Sequence, residues 1–256
     1  MRNTLHVARA VAWRNLHSSF TNPAIILPSL AFPLVFLIAF AGGLSAVAKV
    51  PGFDYAAGYT AFQYVFVFLQ SAAFGGFFMG LGIAADFESG FARRLFLATP
   101  HRSGLLIGYA IGGIVRFLVT AAIVTGAALI AGMNLLGDPV QIVGLFTLGV
   151  LLNVAATMWA AGVSYRTKTL QAGPIMQVPI FVALFLAPVY VPQNLLKGWI
   201  DTAAQYNPAT YLMNAGRGFV ADVPQDTGIA FGLALALVAL LAVWAMRSLR
   251  RAERGL

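Results

Sequence analysis

Residues 227–246 read Thr227-Gly228-Ile229-Ala230-Phe231-Gly232-Leu233-Ala234-Leu235-Ala236-Leu237-Val238-Ala239-Leu240-Leu241-Ala242-Val243-Trp244-Ala245-Met246, bracketed by Asp226 and Arg247. No charge interrupts the run. A helix rises about 1.5 Å per residue, so this stretch makes a rod of about 30 Å, the thickness of a bilayer's hydrocarbon core. The reading that follows is an all-α polytopic membrane protein. The same ruler, moved outward along the chain, predicts six spans, at about 24–47, 59–85, 105–132, 141–164, 174–191 and 229–246, in a single transmembrane domain covering 1–256. The fifth is the least regular, because Pro174, Pro179, Pro188 and Pro192 each remove a backbone donor and favour a kinked or broken helix.

Composition agrees with lipid as the solvent. Of 256 residues 60% are hydrophobic and only 9% charged, and mean hydropathy is +0.83. A soluble domain carries about 25% charged residues, so a soluble enzyme is excluded. The chain has no cysteine, which removes disulfides, thiolate nucleophiles and Cys-ligated metals. Its three histidines, His6, His17 and His101, are scattered through polar segments and do not make a metal site. Ala46-Val47-Ala48 mimics a signal-peptidase site, but the apolar run before it is too long and starts too far from the terminus for a signal sequence.

The net charge of +8 suits a membrane surface better than nucleic acid because of where it lies. Arg2, Arg9, Arg14, Arg93, Arg94, Arg102, Arg166, Lys168, Arg247, Arg250, Arg251 and Arg254 all fall on one side of the expected topology, with only Asp86, Glu88 and Glu253 as acids. The other side has Lys49, Lys197 and Arg217 against five acids. The positive-inside rule therefore predicts that both termini are cytoplasmic. Residues 1–22 are polar and basic, yet Leu5, Ala8, Ala12 and Leu16 recur at helical spacing, which predicts an interfacial helix carrying Arg9, Trp13 and Arg14.

Catalytic chemistry is missing from these residues. No Gly-Lys dipeptide occurs, so there is no P-loop, and there is no His-Glu-x-x-His. No acid falls inside an expected span. Arg116 is the one intramembrane charge, and it either snorkels to the surface or lines a functional path. Gly76–Gly80, Gly108–Gly112 and Gly228–Gly232 have the spacing that permits close helix contact, although such matches arise readily among 26 glycines.

Two polar segments are more informative. Asp86-Phe87-Glu88-Ser89-Gly90-Phe91-Ala92-Arg93-Arg94-Leu95-Phe96-Leu97-Ala98-Thr99-Pro100 places acids first, arginines later and a proline stop, as a short helix with a favourable dipole would. Phe91, Leu95 and Phe96 give it an apolar side. After the fifth span, Leu195, Leu196, Trp199, Ile200, Asn207-Pro208, Tyr211 and Arg217 predict two short external helices separated by a turn and dipping into the outer leaflet.

The pattern Glu88-x-Gly90-x4-Leu95-x3-Thr99-Pro100 resembles the cytoplasmic signature of type-2 ABC transporter permeases, and Asn207-Pro208-x-Thr210-Tyr211 with Arg217 resembles their second signature. The order of elements is most similar to daunorubicin-resistance-type exporter permeases. Those proteins often carry Glu-Arg-Glu before the glycine, where this chain has Asp86-Phe87-Glu88. The resemblance implies an exporter of hydrophobic or amphiphilic substrates in the plasma membrane, built from two permease copies and two ABC ATPase subunits. ATP and magnesium would bind on the partner, with no cofactor and no enzymatic step in this chain. It further implies that Asp86, Glu88, Gly90, Arg93, Arg94, Leu95 and Pro100 form the ATPase-coupling segment, with the N-terminal helix against the same partner. Trp199, Asn207, Pro208, Tyr211 and Arg217 would form the external re-entrant segment. Two readings compete: a secondary transporter or channel, which needs a titratable residue in a span and has only Arg116, and a membrane-embedded lipid enzyme. For the latter, Gln63, Gln70, Asn153, Gln171 and Gln177 offer polarity but no acid, base or nucleophile. The phenylalanines of the early spans fit an apolar cargo, but such rings more often simply face lipid or pack.

Overall fold

The computed structural model describes residues 2–21, 23–99 and 103–254. Among these residues the chain forms ten α-helices and no strand. They are α1 (Arg2–Thr21), α2 (Pro23–Gly43), α3 (Gly58–Glu88), α4 (Phe91–Ala98), α5 (Ser103–Ile130), α6 (Pro139–Thr167), α7 (Gly173–Phe185), α8 (Trp199–Tyr206), α9 (Pro208–Ala221) and α10 (Thr227–Arg254). The helices α3, α5, α6 and α10 are long and apolar enough to cross a bilayer, and Leu27–Gly43 and Leu170–Phe185 are shorter apolar stretches.

Local chemistry sets the helix ends. α6 starts at a capping box: Asp138 accepts from the Gln141 amide at 2.7 Å, Gln141 accepts from the Asp138 amide at 3.1 Å, and Pro139 fills the first helical position. α7 stops at Phe185, several residues short of the expected end at 191. Pro188 disfavours helical backbone at Ala187, and the chain stays irregular through Pro192. α10 continues to Arg254, so the basic segment expected as a tail is helical.

The central element is α3, buried along most of its length from Tyr59 to Ala84. It meets α6 through small residues. A side chain on Gly76 would overlap the backbone of Ala156 and Thr157, and one on Gly80 would overlap Ala160. Ser164 donates to the Gly80 carbonyl at 2.8 Å across this seam. Close approach of this kind lets backbones rather than side chains make the contact. A second glycine row, Gly104, Gly108 and Gly112 on α5, seats α1, which runs alongside in the same direction with Val7, Val11 and Asn15 against successive glycines. Of the three spaced pairs in the sequence, Gly228–Gly232 faces open space: a Cβ added at either would meet nothing within 4 Å.

The aromatic side chains of the early spans mostly pack inward. Phe62, Tyr64, Phe66, Phe68, Phe74 and Phe77 are buried. Phe32 and Phe36 of α2 meet Phe74 and Phe66 of α3 and Phe181 and Phe185 of α7 in a ring cluster. Packing and burial therefore account for these rings.

Candidate functional site

At the end of the bundle that carries α4, four segments converge. α3 runs on through Glu88, so Asp86 and Glu88 lie in its last turn and do not open α4. The expected dipole arrangement is thus reversed: two acids sit at a helix C-terminus, where negative charge is unfavourable. Each is offset by a neighbour. The Arg14 guanidinium of α1 forks onto Asp86, with one arm at 3.0 Å, and the Tyr109 hydroxyl of α5 donates to the same carboxylate at 3.2 Å. Burial would pull the Arg14 pKa down, but the hydrogen bond and charge of Asp86 outweigh it and raise it. Arg14 also lies 4.3 Å from the Phe91 ring centroid, so one cation touches α4 and the α3 carboxylate that Tyr109 of α5 also holds.

Glu88 reaches the turn between α6 and α7. Its carboxylate accepts from the Thr169 hydroxyl at 2.7 Å and the Leu170 amide at 2.8 Å. These two hydrogen bonds hold its carboxyl below the usual carboxylate range. Glu88 therefore ties the end of α3 to the α6–α7 turn.

Between them, Gly90 adopts φ +72°, a left-handed conformation that glycine reaches without strain. No atom lies within 4 Å of where its Cβ would sit, so the requirement here is backbone conformation. That turn sends α4 back over the bundle. Ala92 and Phe96 are buried, and Phe87, Phe96 and Tyr165 pack their rings 5.9–6.5 Å apart beneath it. Leu95 also turns toward this core. The opposite side of α4 presents Arg93, Arg94 and Leu97, the last 82% exposed. Leu97 lies four and three residues after the two arginines, which puts it on their face. No local pattern in the sequence marks Thr169 and Tyr109, since both meet their carboxylates across long sequence separations. Pro100 lies outside the described residues.

On α1, Ala8, Val11 and Ala12 are buried, whereas Arg9 and Trp13 face away from the bundle, with Trp13 stacked 6.5 Å from His17. Arg14 lies at the edge of the buried face, which is why it alone of the three reaches α3. Close by, Arg166 stacks 3.5 Å over the Trp244 ring and donates to Ser248 at 2.9 Å, joining the ends of α6 and α10.

At the other end of the bundle, two short helices flank Asn207-Pro208, as the sequence suggests. Asn207 caps α9 by accepting from the Ala209 amide at 3.0 Å and donates to the Ala183 carbonyl of α7 at 2.6 Å. Tyr211 donates to the Gln205 carbonyl at 3.1 Å, fixing the angle between α8 and α9. Trp199 and Tyr206 on α8 are exposed, while α9 is inserted among α3, α6, α7 and α10. Arg217 of α9 is buried, with its guanidinium 3.4 Å from the Phe62 ring centroid and donating to the Pro188 and Val189 carbonyls at 2.7 and 3.3 Å. It satisfies the carbonyls that become available where α7 breaks. Arg116 is buried in the body of α5, 5.2 Å from the Phe78 ring centroid, beside Ser19 and Ser29. Its side chain is nearly all covered by the protein.

Residues 7–220 match the family described as ABC-2 type transporter. The probable doxorubicin resistance ABC transporter permease protein DrrC of Mycobacterium tuberculosis is 24% identical over 61% of this chain. The chain spans only 56% of that relative's length. The daunorubicin resistance ABC transporter permease protein DrrB1 of Streptomyces coeruleorubidus is 23% identical over 93% of this chain and 84% of its own. The putative transport permease ycf38 of Pyropia yezoensis is 26% identical over 84% of this chain and 74% of its own.

Proposed function

The chain belongs to the ABC-2 type transporter family, and on that premise we propose that it is the permease subunit of an ATP-driven exporter of hydrophobic or amphiphilic compounds. It forms one transmembrane domain, pairs with a second copy of itself, and sits in the plasma membrane with both termini and α4 in the cytoplasm. ATP and magnesium bind to separate ABC ATPase subunits; this chain supplies the path. The observation that carries the reading is the exposed Arg93, Arg94 and Leu97 face of α4, two cations beside an apolar knob; α4 meets α1 through Arg14 over the Phe91 ring and follows directly on the last turn of α3, which is tied to α1 through Arg14–Asp86 and to the α6–α7 turn through Glu88. A push on α4 thus reaches α1, α3, α5 and the end of α6 with its following turn through hydrogen bonds and packed rings. Gly90 sets the angle of α4, Arg9 and Trp13 contact lipid headgroups, and Trp199, Asn207, Pro208, Tyr211 and Arg217 form the external segment.

The test is whether an ABC ATPase subunit co-purifies with this chain from its native membrane, followed by ATP-dependent efflux of an apolar dye from vesicles reconstituted with both. Leu97→Asp and the Arg93→Glu, Arg94→Glu pair should lose ATPase binding while the chain still inserts. An intact association in both variants would remove α4 as the docking element. Single cysteines at Ser18 and Arg250 should resist an impermeant thiol reagent in intact cells, and the cysteine-free background makes external labelling of either decisive against the orientation.

A further inference from the structure

Beyond the apolar stretch that ends at Met246, α10 continues as helix to Arg254, and the four arginines of this extension are not spread around it. With about 3.6 residues per turn, Arg247, Arg250, Arg251 and Arg254 fall within one sector of about 100°. All four are exposed, while Ala245, Ser248, Leu249 and Ala252 on the opposite side are buried against the bundle. The stripe occupies about 10 Å of helix at about 1.5 Å per residue. Two ordinary causes of basic residues do not account for this alignment. The positive-inside rule counts charges and is indifferent to helix angle. The helix dipole favours cations in the last turn, where Arg251 and Arg254 already lie. Like charges three and four residues apart disfavour the helix that carries them. No acid offsets them: the only salt bridge among the described residues joins Arg14 to Asp86, and Glu253 falls outside the sector. Toward the bilayer the same sector becomes apolar within one turn, exposing Val243 and Leu240 at 51% and 69%. One strip of helix thus presents an apolar surface and then four cations.

We propose that this strip binds an anionic phospholipid, with the phosphate against the arginines and an acyl chain along Leu240 and Val243. The order of the strip, apolar and then cationic, is the order of such a lipid from chain to headgroup. Basic residues directly after a spanning helix each strengthen anionic-lipid binding roughly five-fold. A small soluble anion would leave the apolar half of the strip uncovered. Charge argues against a second copy: in a two-fold membrane dimer both copies point the same way, so contact through this face sets arginine against arginine. The inference rests on α10 crossing the bilayer, and is independent of ATPase coupling and of which membrane face is cytoplasmic.

The test uses the full chain alone, in detergent with equimolar phosphatidylglycerol and phosphatidylcholine of identical acyl chains. Native mass spectrometry should find phosphatidylglycerol bound in preference. Arg247→Gln with Arg250→Gln should lower that preference about ten-fold. Arg93→Gln with Arg94→Gln removes the same charge from α4 and should leave it unchanged. Arg251→Gln with Arg254→Gln is an independent second pair on the strip, and the comparison is made between variants that keep parental helix content by circular dichroism. Inorganic phosphate at the concentration of the lipid should not displace it. A parent without preference, an α10 pair that retains it, an equal fall in the α4 pair, or displacement by inorganic phosphate overturns the assignment. An α10 pair that keeps its lipid and instead loses ATPase co-purification gives the strip to the ATPase and overturns it as well. ATPase docking and efflux do not enter the lipid readout, so failure there leaves the proposed function standing.

Discussion

Arg14 and Asp86, 72 residues apart, form a two-armed ion pair that fastens the N-terminal helix to the last turn of α3. The Arg14 and Asp86 side chains are 36% and 15% exposed, so water screens part of the attraction. We expect Arg14→Ala and Asp86→Ala each to lower stability in detergent by about 1 kcal/mol. The double variant should cost no more than either single one, because the pair acts as a unit. Thermal unfolding of the four chains measures the coupling; strictly additive losses would show that the two side chains stabilise the fold separately.

Glu88 makes the α6–α7 turn sensitive to acid. Its pKa is lowered by Thr169 and the Leu170 amide. The tie is therefore complete above the ordinary glutamate pKa of about 4.3 and is lost as pH falls through the lower folded value. A spin label at Gln171 should be immobile at neutral pH and gain mobility in that acid range. With Glu88→Gln it should be mobile throughout. A label whose mobility ignores both changes would show that other contacts hold the turn.

Gly90 should accept asparagine better than alanine or leucine. At φ +72° a side chain costs about 1–2 kcal/mol, with asparagine the least penalised. Because the space around it is open, the bulk of the substituent should matter little. Unfolding midpoints that fall steeply from alanine to leucine would instead mean that a neighbouring surface closes over this glycine.

Gly76→Ala should destabilise by about 1–3 kcal/mol through overpacking against Thr157, whereas Gly228→Ala, with open space around it, should be near neutral. Resistance to unfolding by sodium dodecyl sulfate compares the two. Equal losses would contradict the close α3–α6 seam.

Leu97 and Leu95 should separate by function. Leu97→Asp keeps the fold because the side chain is 82% exposed, and Leu95→Asp introduces a carboxylate toward the Phe96–Tyr165 core and unfolds α4. Circular dichroism and thermal unfolding of both variants check the contrast; a Leu97→Asp chain as unstable as Leu95→Asp would mean that Leu97 is packed.

The sequence by itself determined the solvent, the helical class and the positions of the long helices, because backbone groups in hydrocarbon must bond within their own segment and apolar runs of spanning length admit little else. The run from Thr227 to Met246 is helical throughout, and Asn207-Pro208 divides two short helices as its turn chemistry requires. Helix ends were less legible. α10 runs on through Arg254 because helical backbone does not stop where lipid does, and α7 stops at Phe185 because Pro188 acts on the residues before it. What only the tertiary structure decided is which side chains meet. The acids at 86 and 88 look alike in sequence, yet one turns to Arg14 and Tyr109 and the other to Thr169 and Leu170. Two glycine pairs with the same spacing seat neighbouring helices and a third faces open space. Spacing along a helix fixes which residues share a face, but the partner for that face comes from distant segments, whose approach depends on the packing of the whole bundle.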